Sequence, residues 1–143
     1  MVPPRNVLEA PDYETAKRLA EPGKRPSRQL WGISRKILEV NQSPHLEPRF
    51  FEVHPEVTFF KMAGKPLPSK KTWDGFWRRV ELLGDVGIEI PKNLGKGPGE
   101  ASPDDVLDAA AAAWTALRKS KGEADALPNP PERLEGRDSA IWY

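Results

Sequence analysis

The chain of 143 residues contains no cysteine. Disulfides and thiolate metal centres are therefore excluded, and carboxylate and imidazole remain as the metal-ligating side chains. Long hydrophobic runs are missing too: none approaches the roughly 20 apolar residues that a membrane-spanning helix needs, so no membrane partner is expected. The first residues, Met1-Val-Pro-Pro-Arg5, lack the apolar core of a signal peptide, and cytoplasm is the default expectation. Nor does charge of one sign dominate. The 22 Lys+Arg against 21 Asp+Glu give a net charge of +1, so any attraction to nucleic acid must be local. No phosphate-loop spacing, nucleophile elbow, dinucleotide fingerprint or zinc-protease helix occurs, and no internal or heptad repeat is present.

What the chain does have is punctuation and aromatic rings. Its 16 prolines and 11 glycines fall between periodic segments, and five tryptophans with five phenylalanines argue for a packed core rather than disorder. The length fits a single domain over residues 1–143. Residues 1–11 read as an irregular lead-in. A short helix is expected over Asp12–Ala20, and a longer one from a Ser27 cap to about Val40, with Leu30, Ile33, Ile37 and Val40 at helical spacing. Arg49–His54 alternates as a strand, with Phe50, Glu52 and His54 on one face. Pro55 then opens a helix through Met62. Thr72 caps another through about Leu83, whose apolar face comprises Trp73, Phe76, Trp77, Val80 and Leu83. Val86–Ile90 is a short strand or an extended connection. Gly122–Arg137 reads as a polar surface connection, and Ser139–Tyr143 as a final strand. The fold class is α+β, with few strands covered by many helices. So small a sheet leaves edges unpaired and suggests part of something larger.

The stretch Ala101-Ser-Pro-Asp-Asp-Val-Leu-Asp-Ala-Ala-Ala-Ala-Ala-Trp114 carries the strongest chemical signal. Ser102 is a good N-cap, Pro103 fits the first helical position, and Asp105 makes a capping-box pattern. Asp104, Asp105 and Asp108 project from a similar side of the helix. Asp104 reads as an N-terminal dipole partner rather than a ligand, and capping alone suffices to explain Asp105. Asp108 lies nearly two turns in, where the dipole helps little and Asp is a poor helix former. Its placement points to a cation. Glu52 is a second candidate, as ligand or as a strand residue facing water. If the alanine-rich helix packs near that strand, Glu52 approaches Asp105 and Asp108. Such carboxylates suit Mg²⁺ or Mn²⁺, whose shell is completed by water and substrate phosphate. Two such ions about 4 Å apart stabilise both oxygens of a phosphodiester displacement. His54 reads as a hydrogen-bonded strand end, Glu56 as an electrostatic partner of a helix start, and His45 carries no signal. Arg28, Arg35, Lys36, Lys65, Lys70, Lys71, Arg78 and Arg79 offer a phosphate-contacting surface or, more simply, solvated helix faces.

These residues resemble a known family. Phe51-Glu-Val-His-Pro-Glu-Val57, Ser69-Lys-Lys-Thr72, Asp104-Asp-Val-Leu-Asp-Ala-Ala109 with Trp114, and the closing Ile141-Trp-Tyr143 look like the C-terminal half of domain-of-unknown-function family 429. Ser27-Arg-Gln29 and Lys36-Ile-Leu-Glu-Val40 are similar to the segment before the strand. The resemblance implies a ribonuclease H-like nuclease that hydrolyses nucleic acid phosphodiesters with Mg²⁺ or Mn²⁺. By that match Asp105 and Asp108 are metal ligands on a late helix, with Glu52 binding or positioning the metal. Lys70, Lys71 and Arg28 are the expected phosphate contacts. The family's opening strands, with a first essential aspartate and an Asp-Ala-Pro motif, do not occur here. The expectation is therefore an incomplete nuclease domain, inactive alone, that needs a missing N-terminal half or a second copy. The alternative expectation is a non-enzymatic α+β module that binds a protein or nucleic acid partner.

Overall fold

In the computed structural model, residues 4–43, 50–134 and 137–143 are described. His45, and Arg49 at the head of the expected strand, lie outside them. The chain divides after Phe50 into two compact units.

The first unit is helical: α1 (Arg5–Leu8), α2 (Tyr13–Leu19), α3 (Arg28–Gly32) and α4 (Ser34–Gln42). The caps are those the sequence names. Asp12 Oδ1 accepts from the Thr15 N–H at 2.8 Å, and Ser27 Oγ accepts from the Leu30 N–H at 3.1 Å. The single long helix expected from Ser27 is instead broken. Ile33, after Gly32, leaves helical geometry (φ −104°, ψ 4°) and donates its N–H to Leu30 O, three residues back. Glycine is a weak helix former, and the stripe that would have held the two halves in line is not buried: Ile33 and Val40 are both exposed. Arg28 and Lys17 instead lie over the Tyr13 ring, 4.9 and 5.2 Å from its centroid.

The second unit contains β1 (Glu52–Val53), α5 (Pro55–Ala63), α6 (Trp73–Asp85), α7 (Pro103–Ser120), β2 (Ala126–Leu134) and β3 (Arg137–Trp142). Its core is Phe59 from α5, Leu82 and Leu83 from α6, and Leu107, Ala110 and Ala111 from α7. The alanines let α7 press closely on α5. At the centre of that contact the buried hydroxyls of Thr58 and Thr115 form a hydrogen bond of 3.0 Å. The buried face of α6 is Gly75, Arg79, Leu82 and Leu83. Of the expected stripe, Leu83 lies in the core with Phe76 and Val80 packed against it, whereas Trp73 (75% exposed) and Trp77 (41%) face solvent.

The sheet has the order β1-β3-β2, with β1 parallel and β2 antiparallel to β3. Ser139–Trp142 of the expected closing strand is thus part of the central strand. Gly122–Arg137 does not remain a loop, because most of it forms β2. Proline cannot donate to a ladder, but β2 is an edge. Pro128, Pro130 and Pro131 fall where the register slips, between the Leu127↔Ile141 and Glu132↔Ser139 pairs. The C-terminal turn of α7 is tied to this sheet by two cations. Lys119 Nζ sits 3.0 Å from the Trp142 ring centroid and 5.2 Å from that of Phe51, and the burial this entails pushes its ammonium below the ordinary lysine value. Arg118 donates to the carbonyls of Tyr143 and Glu123. Among the described residues no helix is long and apolar enough to cross a membrane.

Asp125 links α5 to the start of β2. Its Oδ2 lies 2.7 Å from Lys61 Nζ and 3.7 Å from Arg118 Nη2. Donation from Lys61 is the largest influence on its carboxyl and holds it below the usual 3.8. A depressed carboxyl stabilises the fold above its unfolded value, and this contribution is lost as pH falls through the folded value. In an NMR titration the Asp125 carboxyl is expected to show its midpoint below 3.8, and Lys61→Ala to move it upward. An unchanged midpoint in that variant would show the link to be inert.

Candidate functional site

The site is built on Arg79, whose side chain is 1% exposed. A guanidinium so deeply placed is costly unless its N–H groups are satisfied. Here Nε and Nη2 donate to Glu56 Oε1 (3.2 Å) and Oε2 (2.6 Å), while Nη1 donates to the carbonyls of Pro68 (2.9 Å) and Gly75 (2.7 Å). The Phe59 ring lies against its face at 5.4 Å. One side chain thus fastens α5, α6 and the loop between them.

The loop is pinned at its second end by a close approach. A Cβ on Gly75 would stand 2.0 Å from Ser69 O and 2.8 Å from Pro68 O, so only glycine fits. Thr72 Oγ1 donates to Ser69 O at 2.7 Å and accepts from the Gly75 N–H at 3.1 Å. Ser69 is held, and Lys70 and Lys71 must project from that fixed point.

They project onto α7. Lys70 Nζ lies 2.5 Å from Asp108 Oδ2 and 3.8 Å from Asp104 Oδ2, and Lys71 Nζ lies 2.5 Å from Asp104 Oδ2. Lys71 is 72% exposed, but the Lys70, Asp104 and Asp108 side chains are only 26%, 16% and 26% exposed. The hydrogen bond to Asp108 is the main influence raising the Lys70 ammonium above its ordinary value; Glu56 adds a smaller one. Lys71, and after it Ser102, hold the Asp104 carboxyl down to about 2. Asp108 Oδ1 is buried, and no described residue donates a hydrogen bond to it.

Of the residues predicted from sequence, Asp108 occupies this cluster. Asp105 does not share it: it is exposed, and its Oδ2 lies 2.7 Å from Ser102 Oγ at the cap. The i, i+4 partner of Asp108 is Asp104, read from sequence as a dipole partner. Glu52 is exposed on β1 and its backbone pairs with Ile141. Glu52, Asp105 and Asp108 are not gathered together, since no three His or acidic side chains among the described residues could share a metal ion. Lys70 and Lys71, expected to face phosphate, instead neutralise the aspartates. Arg28 lies in the first unit over the Tyr13 ring. Arg79 is buried and cannot belong to a phosphate-contacting surface. Its signal was legible: an arginine four residues after a glycine, on the face that also carries Leu82 and Leu83. Glu56 gave none, because an acidic residue in the first turn of a helix is ordinary.

Beside the lysine loop, an open groove of about 550 Å³ runs along α6, lined by Leu67, Pro68, Trp73 and Trp77 with charged residues at its rim. The two indoles meet edge to face at 5.5 Å.

A family described as "Protein of unknown function (DUF429)" matches residues 1–133. The chain belongs to this family. No curated protein and no solved structure matches it.

Arg79→Met is expected to cost about 3 kcal/mol of stability, because Glu56 and two carbonyls lose their donor; urea denaturation measures it. Gly75→Ala is expected to lower the urea midpoint as well, since the backbone of Pro68 and Ser69 must move. A midpoint unchanged in either variant would contradict the role given to that residue.

Proposed function

We propose that the chain contributes to a metal-dependent nuclease with a ribonuclease H-like fold, in which Asp108 and Asp104 hold one divalent cation. The observation that carries this reading is the buried, unbonded Oδ1 of Asp108 on a carboxylate whose other oxygen is already drawn to a cation. The donor set is all oxygen, which suits Mg²⁺ or Mn²⁺, and these ions need only one or two carboxylates when water and phosphate complete the shell. Two carboxylates do not fit a two-ion centre. In this reading the chain supplies part of a larger ligand set, to which Glu52 belongs only when further residues join. A divalent ion here would neutralise phosphate charge and acidify a bound water. The parallel pairing of β1 with β3 is compatible with the fold class but not specific to it.

The second reading, a non-enzymatic module that binds a protein or nucleic acid partner, is favoured by the Trp73 and Trp77 groove. The two readings separate in one experiment. Labelled single- and double-stranded DNA and RNA are incubated with the protein and Mn²⁺ or Mg²⁺, and Mn²⁺ binding is followed by calorimetry. The nuclease reading expects Mn²⁺ binding that Asp108→Asn abolishes, and any cleavage detected must be lost in the same variant. Mn²⁺ binding without cleavage would remove the nuclease and keep the ion site. Neither binding nor cleavage would overturn the reading altogether.

A further inference from the structure

The Trp73 and Trp77 groove has two fixed walls. One is the loop: Leu67 packs on the core, and Pro68 O accepts from Arg79 Nη1 at 2.9 Å. The other is α6, where Phe76 packs on the core and meets the Trp77 ring edge to face, with centroids 5.5 Å apart. A ligand entering between them orders little of the protein, which lowers the cost of binding. Trp73 and Trp77 stand exposed one helical turn apart, and tryptophan is among the residues that dominate binding surfaces. Neither indole N–H has an acceptor among the described residues. The charges at the rim cancel, two cations against two carboxylates. Arg78 is bonded to Glu81 at 2.9 Å, whereas Lys65 and Asp74 have no ion partner among the described residues.

We propose that this groove binds a proline-rich segment of another protein in the extended polyproline II form, with a basic residue set against Asp74 and an acidic one against Lys65. The inference rests on the second reading above, a module that binds a protein partner, and names that partner's chemistry; it does not depend on a cation site. An exposed indole N–H needs a carbonyl to donate to. A helix spends its carbonyls on its own ladder, whereas polyproline II has no internal hydrogen bonds and presents them outward. A β-strand partner needs a sheet edge for its ladder, and this groove is walled by a helix and a loop. Proline rings pack on aromatic walls, and the preformed segment loses little entropy on docking. A nucleic acid strand would carry its phosphates past Asp74 and Glu81 with no surplus of cations to offset them. A near-neutral segment with one charge of each sign instead matches the two unpaired groups.

The test uses the full chain, isotope-labelled, and follows its five tryptophan indole N–H signals by NMR. Three probes are added in turn: an oligoproline peptide flanked by one arginine and one glutamate, a leucine- and alanine-based helical peptide with the same flanks, and oligothymidylate. Oligoproline is expected to shift the Trp73 and Trp77 signals and to leave those of Trp31, Trp114 and Trp142 in place. Trp73→Ala and Trp77→Ala are each expected to weaken its binding about tenfold, with an unchanged circular dichroism spectrum because both side chains are exposed. Trp77→Phe keeps a ring and loses the donor, and its affinity is expected to fall between those of Trp77→Ala and wild type. Asp74→Asn is expected to weaken the flanked peptide about threefold and to leave oligoproline without the arginine unaffected; equal losses for both peptides overturn the charge assignment. Oligoproline that moves neither groove signal overturns the proposal. If the helical peptide moves them instead, the groove still docks protein and the reading above stands, but the proline assignment fails. If oligothymidylate alone moves them, the partner is nucleic acid and the proposal falls. Silence with all three probes removes the groove as a docking site and the second reading with it.

Discussion

The buried guanidinium of Arg79 is the constraint on which the second unit depends. An arginine that is almost fully enclosed must find acceptors within a few ångströms, and the fold supplies them from three segments: Glu56 at the start of α5, Gly75 one turn earlier on α6, and Pro68 in the connecting loop. The loop could otherwise take many paths over the surface. Bound through Pro68 O and pressed against Gly75, it takes one, and the two lysines that follow are delivered to the face of α7. The position of Lys70 is thus a consequence of a residue nine places away that never touches it.

The same economy appears on α7. Its N-terminal turns carry the aspartates, its middle the alanines and Leu107 that pack on α5 and α6, and its last turn the cations that hold the sheet. Each part uses a different physical term: charge, close packing, and cation–π contact with carbonyl bonding. The Thr58–Thr115 hydrogen bond sits among the packed residues, where an unpaired hydroxyl would be costly. The helix is therefore fixed along its length. Asp104 and Asp108 are thus presented to Lys70 and Lys71 from a rigid element.

Helices α2, α5, α6 and α7 were legible because they rest on local rules, whereas α1 falls in a stretch read as irregular and β1 spans only Glu52–Val53 of the expected strand. Asp12, Ser27, Thr72 and Ser102 all cap where their side chains can reach an N–H three residues on. What was not legible depends on tertiary contact. On α6 the apolar spacing places Phe76, Val80 and Leu83 at the core but misplaces Trp73 and Trp77, which are exposed. Strand β2 was hidden by its prolines, which signal a loop unless the strand lies at an edge. At the site, Asp108 stood out as a carboxylate with no local purpose. Its partner Asp104 did not, since a residue that satisfies a helix dipole can also answer to a lysine in a distant loop. The preference for Asp105 over Asp104 arose because three and four residues along a helix both fall on one face, and only the loop decides which is used.

The two basic residues at the centre of the unit differ in a way that matters for what each can do. Arg79 engages Glu56 in a two-pronged bond and two carbonyls besides, and every one of these contacts would be lost together if it moved. It is fitted to a permanent role. Lys70 makes one short contact to Asp108 and a longer one to Asp104. The ammonium is a compact charge on a flexible stem, and its hold on the pair rests on those two contacts alone. An arginine at position 70 would fasten the acidic pair as firmly as Arg79 fastens the loop.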